Sequence, residues 1–235
     1  MRLSAPIHQL KRRARLLSRK DKIPLHAALD RIAAGEGFRS WSLLAAKAPS
    51  PAGDLYARLR PGDLVLLGAR PGHGKTLMSL RLAVEAMKAG KRSAFFTLEY
   101  TERDVLERFQ ALGVDVKPFG DLFTFDASDA ISADYIVSSL ATAPSGTLAV
   151  VDYLQLLDQR RENPELMAQL RKLKSFAEDR GVILVFISQI DRSYDPAAKS
   201  CPDIGDVRLP NPLDLSLFSK TCFLNNGSVR FQAVS

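Results

Sequence analysis

The sequence has little cysteine and no long apolar run, and both shortages narrow the classes of protein to which it can belong. Only two cysteines, Cys201 and Cys222, occur in 235 residues. They lack metal-ligand spacing and a nearby histidine, so we expect reduced thiols in a cytoplasmic protein rather than a disulfide framework or a zinc site. No apolar run approaches the roughly 18 residues that cross a bilayer. Because charged residues occur close to the N-terminus, we do not expect a secretory signal peptide there.

Acidic residues are almost missing from the N-terminal segment. Its first 22 positions hold eight Lys or Arg residues and a single acid, Asp21, while the remaining 25 basic and 25 acidic residues cancel. The whole net charge of +7 therefore belongs to this segment. Its apolar residues recur at three- and four-residue spacing, which predicts a basic amphipathic helix over residues 4–20. They are Ile7, Leu10, Ala14 and Leu17.

Three interpretations of this basic helix stay open. Its charged face can contact the phosphate backbone of a nucleic acid, which gives salt-sensitive affinity without sequence preference. It can equally be a solvated helix face. A membrane-surface helix is less favoured, because the large apolar anchors of such helices are missing. The candidate contacts to nucleic acid are Lys11, Arg12, Arg15 and Arg19.

Two further short helices follow in the N-terminal region. Pro24 and Gly35 delimit the second, and Ser40 is placed to cap the third. We therefore expect a small helical appendage over residues 1–48, too small to bury much surface alone. Pro49, Pro51 and Gly53 predict a linker, and we expect a second domain over residues 54–235.

A glycine-rich turn between an apolar run and a helical pattern is the most informative stretch of the chain. Leu64–Leu67 predicts a short buried strand, and helical spacing of apolar residues resumes at Leu77. A strand, a glycine-rich turn and a helix in this order are the context of a phosphate-binding P-loop. The turn consists of Ala69, Arg70, Pro71, Gly72, His73, Gly74, Lys75 and Thr76.

The residue types of this turn suit ATP and Mg²⁺. Gly72 and Gly74 allow consecutive backbone N–H groups to point at an anion, and the following helix adds its positive dipole end. Lys75 would reach the β- and γ-phosphate oxygens, and the Thr76 hydroxyl would be a ligand of Mg²⁺. We therefore expect residues 69–76 to bind ATP.

Strands and helices alternate along the rest of the chain, which predicts an α/β fold with a mostly parallel sheet. A capping box is expected where Thr101 begins a helix with Asp104 three residues later. The last two segments flank Asn225-Asn226-Gly227, a hairpin signal that predicts a C-terminal antiparallel edge. Predicted strands cover 92–98, 122–125, 147–152, 182–188, 214–224 and 228–234, and predicted helices cover 101–112, 133–141 and 165–179.

Three polar residues follow apolar strands at the edge where a parallel sheet binds its ligands. Asp152 has the Walker B pattern of an acid that holds Mg²⁺. Glu99 is placed to orient and deprotonate an attacking water, and Gln189 to sense the γ-phosphate. With Lys75, these residues form the expected catalytic group.

Four segments, ARPGHGKT, TLEY, VVDYLQLL and FISQIDRS, resemble the successive motifs of the RecA-like ATPase domain of DnaB-type replicative helicases. The resemblance covers about residues 55–220 and implies a RecA-like core with ATP bound between the subunits of a homo-oligomeric ring, such as a hexamer. It implies Glu99 as catalytic base, Asp152 as Walker B acid and Gln189 as sensor. It also implies a loop within 190–212 that faces single-stranded DNA. The basic residues there are Arg192, Lys199 and Arg208.

Two parts of the family pattern have no clear match. Residues 1–48 do not resemble the family's N-terminal collar, which contacts primase. The family also carries a basic finger near the C-terminus that enters the neighbouring ATP site, and Lys220 and Arg230 are the basic residues available here.

The expected function is an ATP-hydrolysing, DnaB-like DNA helicase or helicase-related ATPase that acts on single-stranded DNA, of plasmid or phage type or an accessory to one. The alternative is a nucleotide-gated DNA-binding or regulatory module with weak turnover and no unwinding. Turnover that DNA stimulates would favour the first, and ATP-dependent assembly without stimulation would favour the second.

Overall fold

The computed structural model describes residues 3–5, 7–47, 50–158, 163–208, 213–225 and 228–234. They form two compact units that divide between Ser50 and Pro51. None of the described helices is long and apolar enough to cross a membrane.

The first unit consists of three helices, α1 (Ile7–Asp21), α2 (Leu25–Gly35) and α3 (Trp41–Lys47). Leu10, Ala33 and Leu44 form its small buried cluster. The Asp30 carboxylate accepts a hydrogen bond of 2.8 Å from the backbone N–H of Trp41, which ties α2 to the start of α3. The apolar spacing of the sequence thus predicts all three helices correctly.

A seven-stranded sheet forms the centre of the second unit. Its spatial order is β3-β2-β4-β5-β1-β6-β7, and every neighbouring pair is parallel except β6 and β7. This confirms the predicted mostly parallel sheet with an antiparallel C-terminal edge, although Asn226 and Gly227 lie outside the described residues. The strands are β1 (Leu64–Ala69), β2 (Ser93–Thr97), β3 (Phe123–Asp126), β4 (Leu148–Asp152), β5 (Ile183–Gln189), β6 (Lys220–Asn225) and β7 (Ser228–Ala233).

Helices cover both faces of this sheet, since alternate residues of the buried strands enter different cores. Phe96 and Phe186 pack with Leu170 of α8 on one face. Phe95 packs with Leu80 of α5 on the other. The helices of this unit are α4 (Pro51–Tyr56), α5 (Lys75–Lys88), α6 (Glu102–Ala111), α7 (Ala133–Ser139) and α8 (Leu166–Arg180).

Two local predictions are wrong. Pro51 and Gly53, predicted in a linker, lie in α4, because Pro is favourable at the first helical position and Ala52 and Leu55 are buried. Pro49 lies outside the described residues.

The second error is the strand predicted over 214–224. Asp214 accepts a 3.0 Å hydrogen bond from the Ser216 N–H and begins a short 3₁₀ turn, Leu215–Leu217. Such local side-chain bonds compete with strand pairing, so β6 begins only at Lys220.

The two candidate finger residues have different surroundings. Lys220 forms a nearly buried ion pair with Asp63, whose carboxylate also accepts a 2.8 Å hydrogen bond from the Ser219 hydroxyl. This pair lies at the start of β1, away from the P-loop at the strand's other end. Arg230 lies on β7 opposite Phe223 and is partly exposed.

Candidate nucleotide-binding and hydrolysis site

The P-loop joins the end of β1 at Ala69 to the start of α5 at Lys75. The His73 N–H donates a 3.1 Å hydrogen bond to the Arg70 carbonyl, which closes a tight turn. Gly72 and Gly74 have φ values of 79° and 85°, in the left-handed region that favours glycine. A Cβ atom at either position would meet nothing within 4 Å, so these glycines are required by backbone conformation rather than by lack of space.

The start of α5 is suited to bind an anion. Gly74 is its N-cap residue, and no side chain caps the helix in the described part of the chain. The first N–H groups of an α-helix have no partner within the helix and carry its positive dipole end. With Lys75 as the first helical residue, this end of α5 can bind phosphate oxygens through backbone and side chain together.

The predicted metal ligands are in direct contact. The Thr76 hydroxyl donates a 3.2 Å hydrogen bond to Asp152 Oδ2, which joins the first turn of α5 to the end of β4. Asp152 is fully buried, and its other oxygen, Oδ1, is buried without a hydrogen-bond partner among the described residues. A carboxylate oxygen and a hydroxyl oxygen are ligands that Mg²⁺ prefers. These residues therefore fit a magnesium ion.

The charge state of Asp152 depends on what surrounds it. Burial raises its pKa to about 7, and the negative charge of Glu99 adds to this rise. The Thr76 hydrogen bond and the positive charge of Lys75 act in the opposite direction. The Asp152 carboxyl group is therefore influenced by charge on the P-loop and on the turn after β2, and it is in contact with Thr76.

A pH dependence of metal binding follows from this pKa. Below about pH 7 a proton occupies Asp152 and must leave before a cation binds, so we expect the affinity for Mg²⁺ in the presence of ADP to rise about tenfold between pH 6 and pH 8. A magnesium titration followed with a fluorescent ADP analogue measures this affinity. Asp152→Asn is the control, since it retains only the titration of the nucleotide.

The same pKa has a second consequence for the metal-free protein. Protonated Asp152 favours the folded state below the ordinary carboxyl pKa, and this contribution is lost as the pH rises through about 7.

In the magnesium titration, a wild-type affinity that changes with pH in the same way as that of Asp152→Asn would contradict Asp152 as a ligand.

Glu99 follows β2 in an exposed turn whose two sides are fixed. On one side, its backbone N–H donates a 3.0 Å hydrogen bond to the hydroxyl of buried Thr97. On the other side, Thr101 and Asp104 form the predicted capping box of α6. The backbone of Glu99 is thus fixed just after the end of β2, and its side chain is exposed.

Gln189 is the last residue of β5 and is paired in register with Ala69, the last residue of β1. It therefore lies beside the start of the P-loop. The chain beyond it leaves the sheet and comes back, because the Arg208 N–H donates a 2.8 Å hydrogen bond to the Gln189 carbonyl. An isolated bridge between Ile190 and Val207 closes the base of this loop.

The three basic residues predicted on this loop have different environments. Lys199 forms ion pairs with Asp203 and Asp206, so two carboxylates already balance its charge. Arg192 and Arg208 are exposed. Asn225 Nδ2 donates a 2.8 Å hydrogen bond to the Ser200 carbonyl and so ties the loop to β6.

The basic residues predicted to contact nucleic acid on α1 are all exposed. They belong to the first of the two units. These residues are Lys11, Arg12, Arg15 and Arg19.

Arg108 is a residue near the site that sequence reasoning missed. Its guanidinium carbon lies 4.1 Å from the centre of the Tyr100 ring, and Nη1 donates a 3.2 Å hydrogen bond to the Asp104 carbonyl. Its charge opposes the rise in the pKa of Asp152 that burial causes. In sequence it is one of several charged residues of α6, and only the fold distinguishes it.

Comparisons with known proteins agree with this geometry. The family model described as "ATPase: KaiC" matches residues 54–201. The chain is 24% identical over 197 residues to the replicative DNA helicase DnaB of Mycoplasma pneumoniae, covering 67% of this chain and 41% of that protein. It is 25% identical over 217 residues to a probable plasmid replicative DNA helicase of Chlamydia trachomatis, covering 75% of this chain and 48% of the relative. It therefore spans less than half the length of these two proteins.

Solved structures show the same fold. A DnaB-like replicative helicase, solved in a study of its interactions with primase, matches with a TM-score of 0.60 and 18% identity, covering 75% of this chain and 52% of that one. A KaiC-like protein from the archaeon Pyrococcus horikoshii matches with a TM-score of 0.52 and 19% identity, covering 74% of this chain and 80% of that one. Because the family model matches more than half of the sequence, the chain belongs to the KaiC ATPase family, with a RecA-like P-loop fold and homology to the DnaB replicative helicases.

Proposed function

We propose that this chain is an ATP-hydrolysing, DnaB-like helicase or helicase-related ATPase that acts on single-stranded DNA. The observation that supports it most directly is the contact between the Thr76 hydroxyl and the buried Asp152, with Glu99 and Gln189 at neighbouring strand ends. A simple phosphate-binding turn would not require this group of side chains at the same edge of the sheet.

Each residue has a definite role in this proposal. Residues 69–76 bind the phosphates of ATP through backbone N–H groups, and Lys75 contacts the β- and γ-phosphate oxygens. Thr76 and Asp152 hold Mg²⁺, which when bound neutralises charge on the phosphate oxygens. Glu99 takes a proton from the water whose oxygen attacks the γ-phosphorus, while the bond to the β-phosphate oxygen breaks and ADP leaves. Gln189 senses the γ-phosphate.

DNA and a second copy of the chain complete the proposal. The loop that joins Gln189 to Arg208 carries two exposed arginines and starts beside the P-loop, which supports single-stranded DNA as its ligand. The homology to DnaB supports a homo-oligomer, with a hexameric ring as the specific proposal and Arg230 as the candidate finger.

The cytoplasm is the compartment that we propose for this protein. Both cysteines are free and buried, which suits a reducing compartment.

The test is steady-state ATP hydrolysis with and without single-stranded DNA at moderate salt, with Glu99→Gln as the blank. A rate that DNA raises and the variant lacks would support the proposal, and strand separation would be measured next. A wild-type rate equal to the blank in both conditions would contradict it and favour a nucleotide-gated binding module.

The basic face of α1 gives a separate prediction about DNA affinity. Replacing its four candidate contacts by Gln should reduce the slope of log affinity against log salt by about 3, because each phosphate contact to a single strand releases about 0.7 of a counterion. The slope is measured from binding isotherms at several salt concentrations, and these variants leave the P-loop unchanged. The four substitutions are Lys11→Gln, Arg12→Gln, Arg15→Gln and Arg19→Gln.

A control neutralises two exposed cations of the second unit, Arg103→Gln and Lys117→Gln, and is compared per charge removed. If the α1 variant and the wild type have the same salt slope, the basic face of α1 is a solvated surface that does not contact DNA.

A further inference from the structure

The backbone of Arg208 is held on both sides by segments that carry residues of the ATP site. Its N–H donates a 2.8 Å hydrogen bond to the carbonyl of Gln189, the last residue of β5. Its carbonyl accepts a 3.2 Å hydrogen bond from Nε2 of Gln155. Gln155 follows Asp152 by three residues, so the backbone of Arg208 connects the loop both to the segment after the Asp152 strand and to the end of the Gln189 strand.

Gln155 occupies a rigid position with unused hydrogen-bonding capacity. It lies in the 3₁₀ segment Leu154–Asp158, and its neighbours Leu154 and Leu156 are buried in the core. Its Oε1 is buried and has no hydrogen-bond partner among the described residues. Buried amide oxygens are nearly always paired, so this oxygen has an acceptor site left for a further partner.

A second exception lies on the other segment that holds the Arg208 backbone. The hydroxyl oxygen of Ser188 is likewise buried and has no partner in the part of the chain that the structure describes. Ser188 directly precedes Gln189 in β5. Both segments that hold the Arg208 backbone therefore carry a buried polar atom that can form a new hydrogen bond when this backbone moves.

The side chain of Arg208 is accessible to a ligand from solvent. This side chain is exposed, while Lys199 on the same loop is already balanced by two carboxylates. The acid near Arg208 is Asp191, whose pKa is lowered chiefly by its hydrogen bonds with Ser193 and further by the positive charge of Arg208. An exposed guanidinium can bind a phosphate group through two parallel hydrogen bonds.

We propose that Gln155 is a positioning residue that couples single-stranded DNA at Arg208 to the Asp152 end of the ATP site. The inference rests on the proposed function. A phosphate bound by Arg208 shifts its backbone carbonyl, and Gln155, which donates to this carbonyl, passes the shift to the segment that follows Asp152. Because coupling between two sites is reciprocal, the nucleotide state must in turn alter the affinity for DNA.

The test uses two variants of Gln155 in the full chain. Gln155→Met has a similar length and makes no hydrogen bond, and Gln155→Glu has the same shape but cannot donate to the Arg208 carbonyl when ionised. Gln110→Met, at an exposed position of α6, is the matched control. Thermal unfolding identifies any variant that fails to fold, and the two Gln155 variants differ enough for one to replace the other.

Two ratios are measured with a poly-dT oligonucleotide. One is the rate of ATP hydrolysis with DNA divided by the rate without DNA, and the other is the DNA affinity with a non-hydrolysable ATP analogue divided by the affinity with ADP. Coupling between sites typically amounts to about 5- to 150-fold. We expect both ratios to fall to near one in the Gln155 variants and to equal the wild-type ratios in Gln110→Met. A variant that merely binds ATP more weakly would hydrolyse ATP more slowly both with and without DNA, and the ratio of the two rates would stay at its wild-type value.

The outcomes separate the inference from the function on which it rests. If both ratios are near one in the wild type, the proposed function fails and the inference fails with it. If the wild type shows clear ratios and a folded Gln155 variant keeps them, the function stands and the coupling role of Gln155 is overturned.

Discussion

Replacing Glu99 by Gln is expected to lower kcat for ATP hydrolysis by about 10²- to 10⁴-fold, because a general base contributes about this much to a proton transfer. Nucleotide binding should survive the change. The hydrogen bond that fixes residue 99 is donated by its backbone to Thr97, so the amide side chain occupies the same place. The measurement is steady-state turnover together with ATP affinity.

The Glu99 variant should bind magnesium at least as well as the wild type. Burial is the main cause of the raised pKa of Asp152, but the charge of Glu99 adds to it, and Gln removes that repulsion. Glu102→Gln is the control, since Glu102 is an exposed acid at the start of α6 and should leave turnover unchanged. Turnover near the wild-type level in Glu99→Gln would show that another group accepts the proton.

Replacing Lys75 by Ala is expected to weaken ATP binding by about 10- to 100-fold, since a hydrogen bond to a charged group contributes about 1.5–3 kcal/mol. Lys75 is the first residue of α5, and it follows Gly74, whose left-handed conformation begins the helix. The ammonium group therefore lies where the dipole of α5 and the backbone N–H groups also favour an anion. Isothermal titration with ATP measures the loss.

Lys88 provides the matched control for this prediction. It is the last residue of the same helix, and it forms a surface ion pair of 3.0 Å with Glu85. Such pairs contribute little to stability, so Lys88→Ala should bind ATP as the wild type does. Equal ATP affinity in Lys75→Ala and Lys88→Ala would contradict the assignment of residues 69–76 as a phosphate-binding loop.

The features that the sequence predicts correctly depend on local or periodic signals. Thr101 and Asp104 are three residues apart and form their capping box within one helical turn. The apolar runs of the parallel strands end where the structure ends them, at Asp152 and Gln189, because strands that are buried on both faces are apolar throughout. The position of Asp152 and Gln189 at one edge of the sheet was therefore predictable without coordinates.

The features that the sequence misses depend on contacts between distant segments. Arg108 stacks on Tyr100, and nothing in its spacing distinguishes it from exposed Arg103. Gln155 contacts the Arg208 carbonyl across 53 positions. The role proposed for Gln155 therefore depends on how the loop after β5 returns to place Arg208 beside it. At Asp214, a hydrogen bond to a neighbouring backbone N–H overrides a pattern that predicts a strand.

The position of β1 in the sheet constrains the order in which the protein can form during synthesis. This strand is made early, yet its two partners come late, since Leu64 pairs with Leu184 and Val65 pairs with Lys220. Contacts between distant segments form only after long loops close, which slows folding. While a ribosome is still translating the middle of the chain, the strand that leads into the P-loop has neither neighbour. Nascent chains that end before β5 therefore expose an unpaired apolar strand, the kind of segment that chaperones protect.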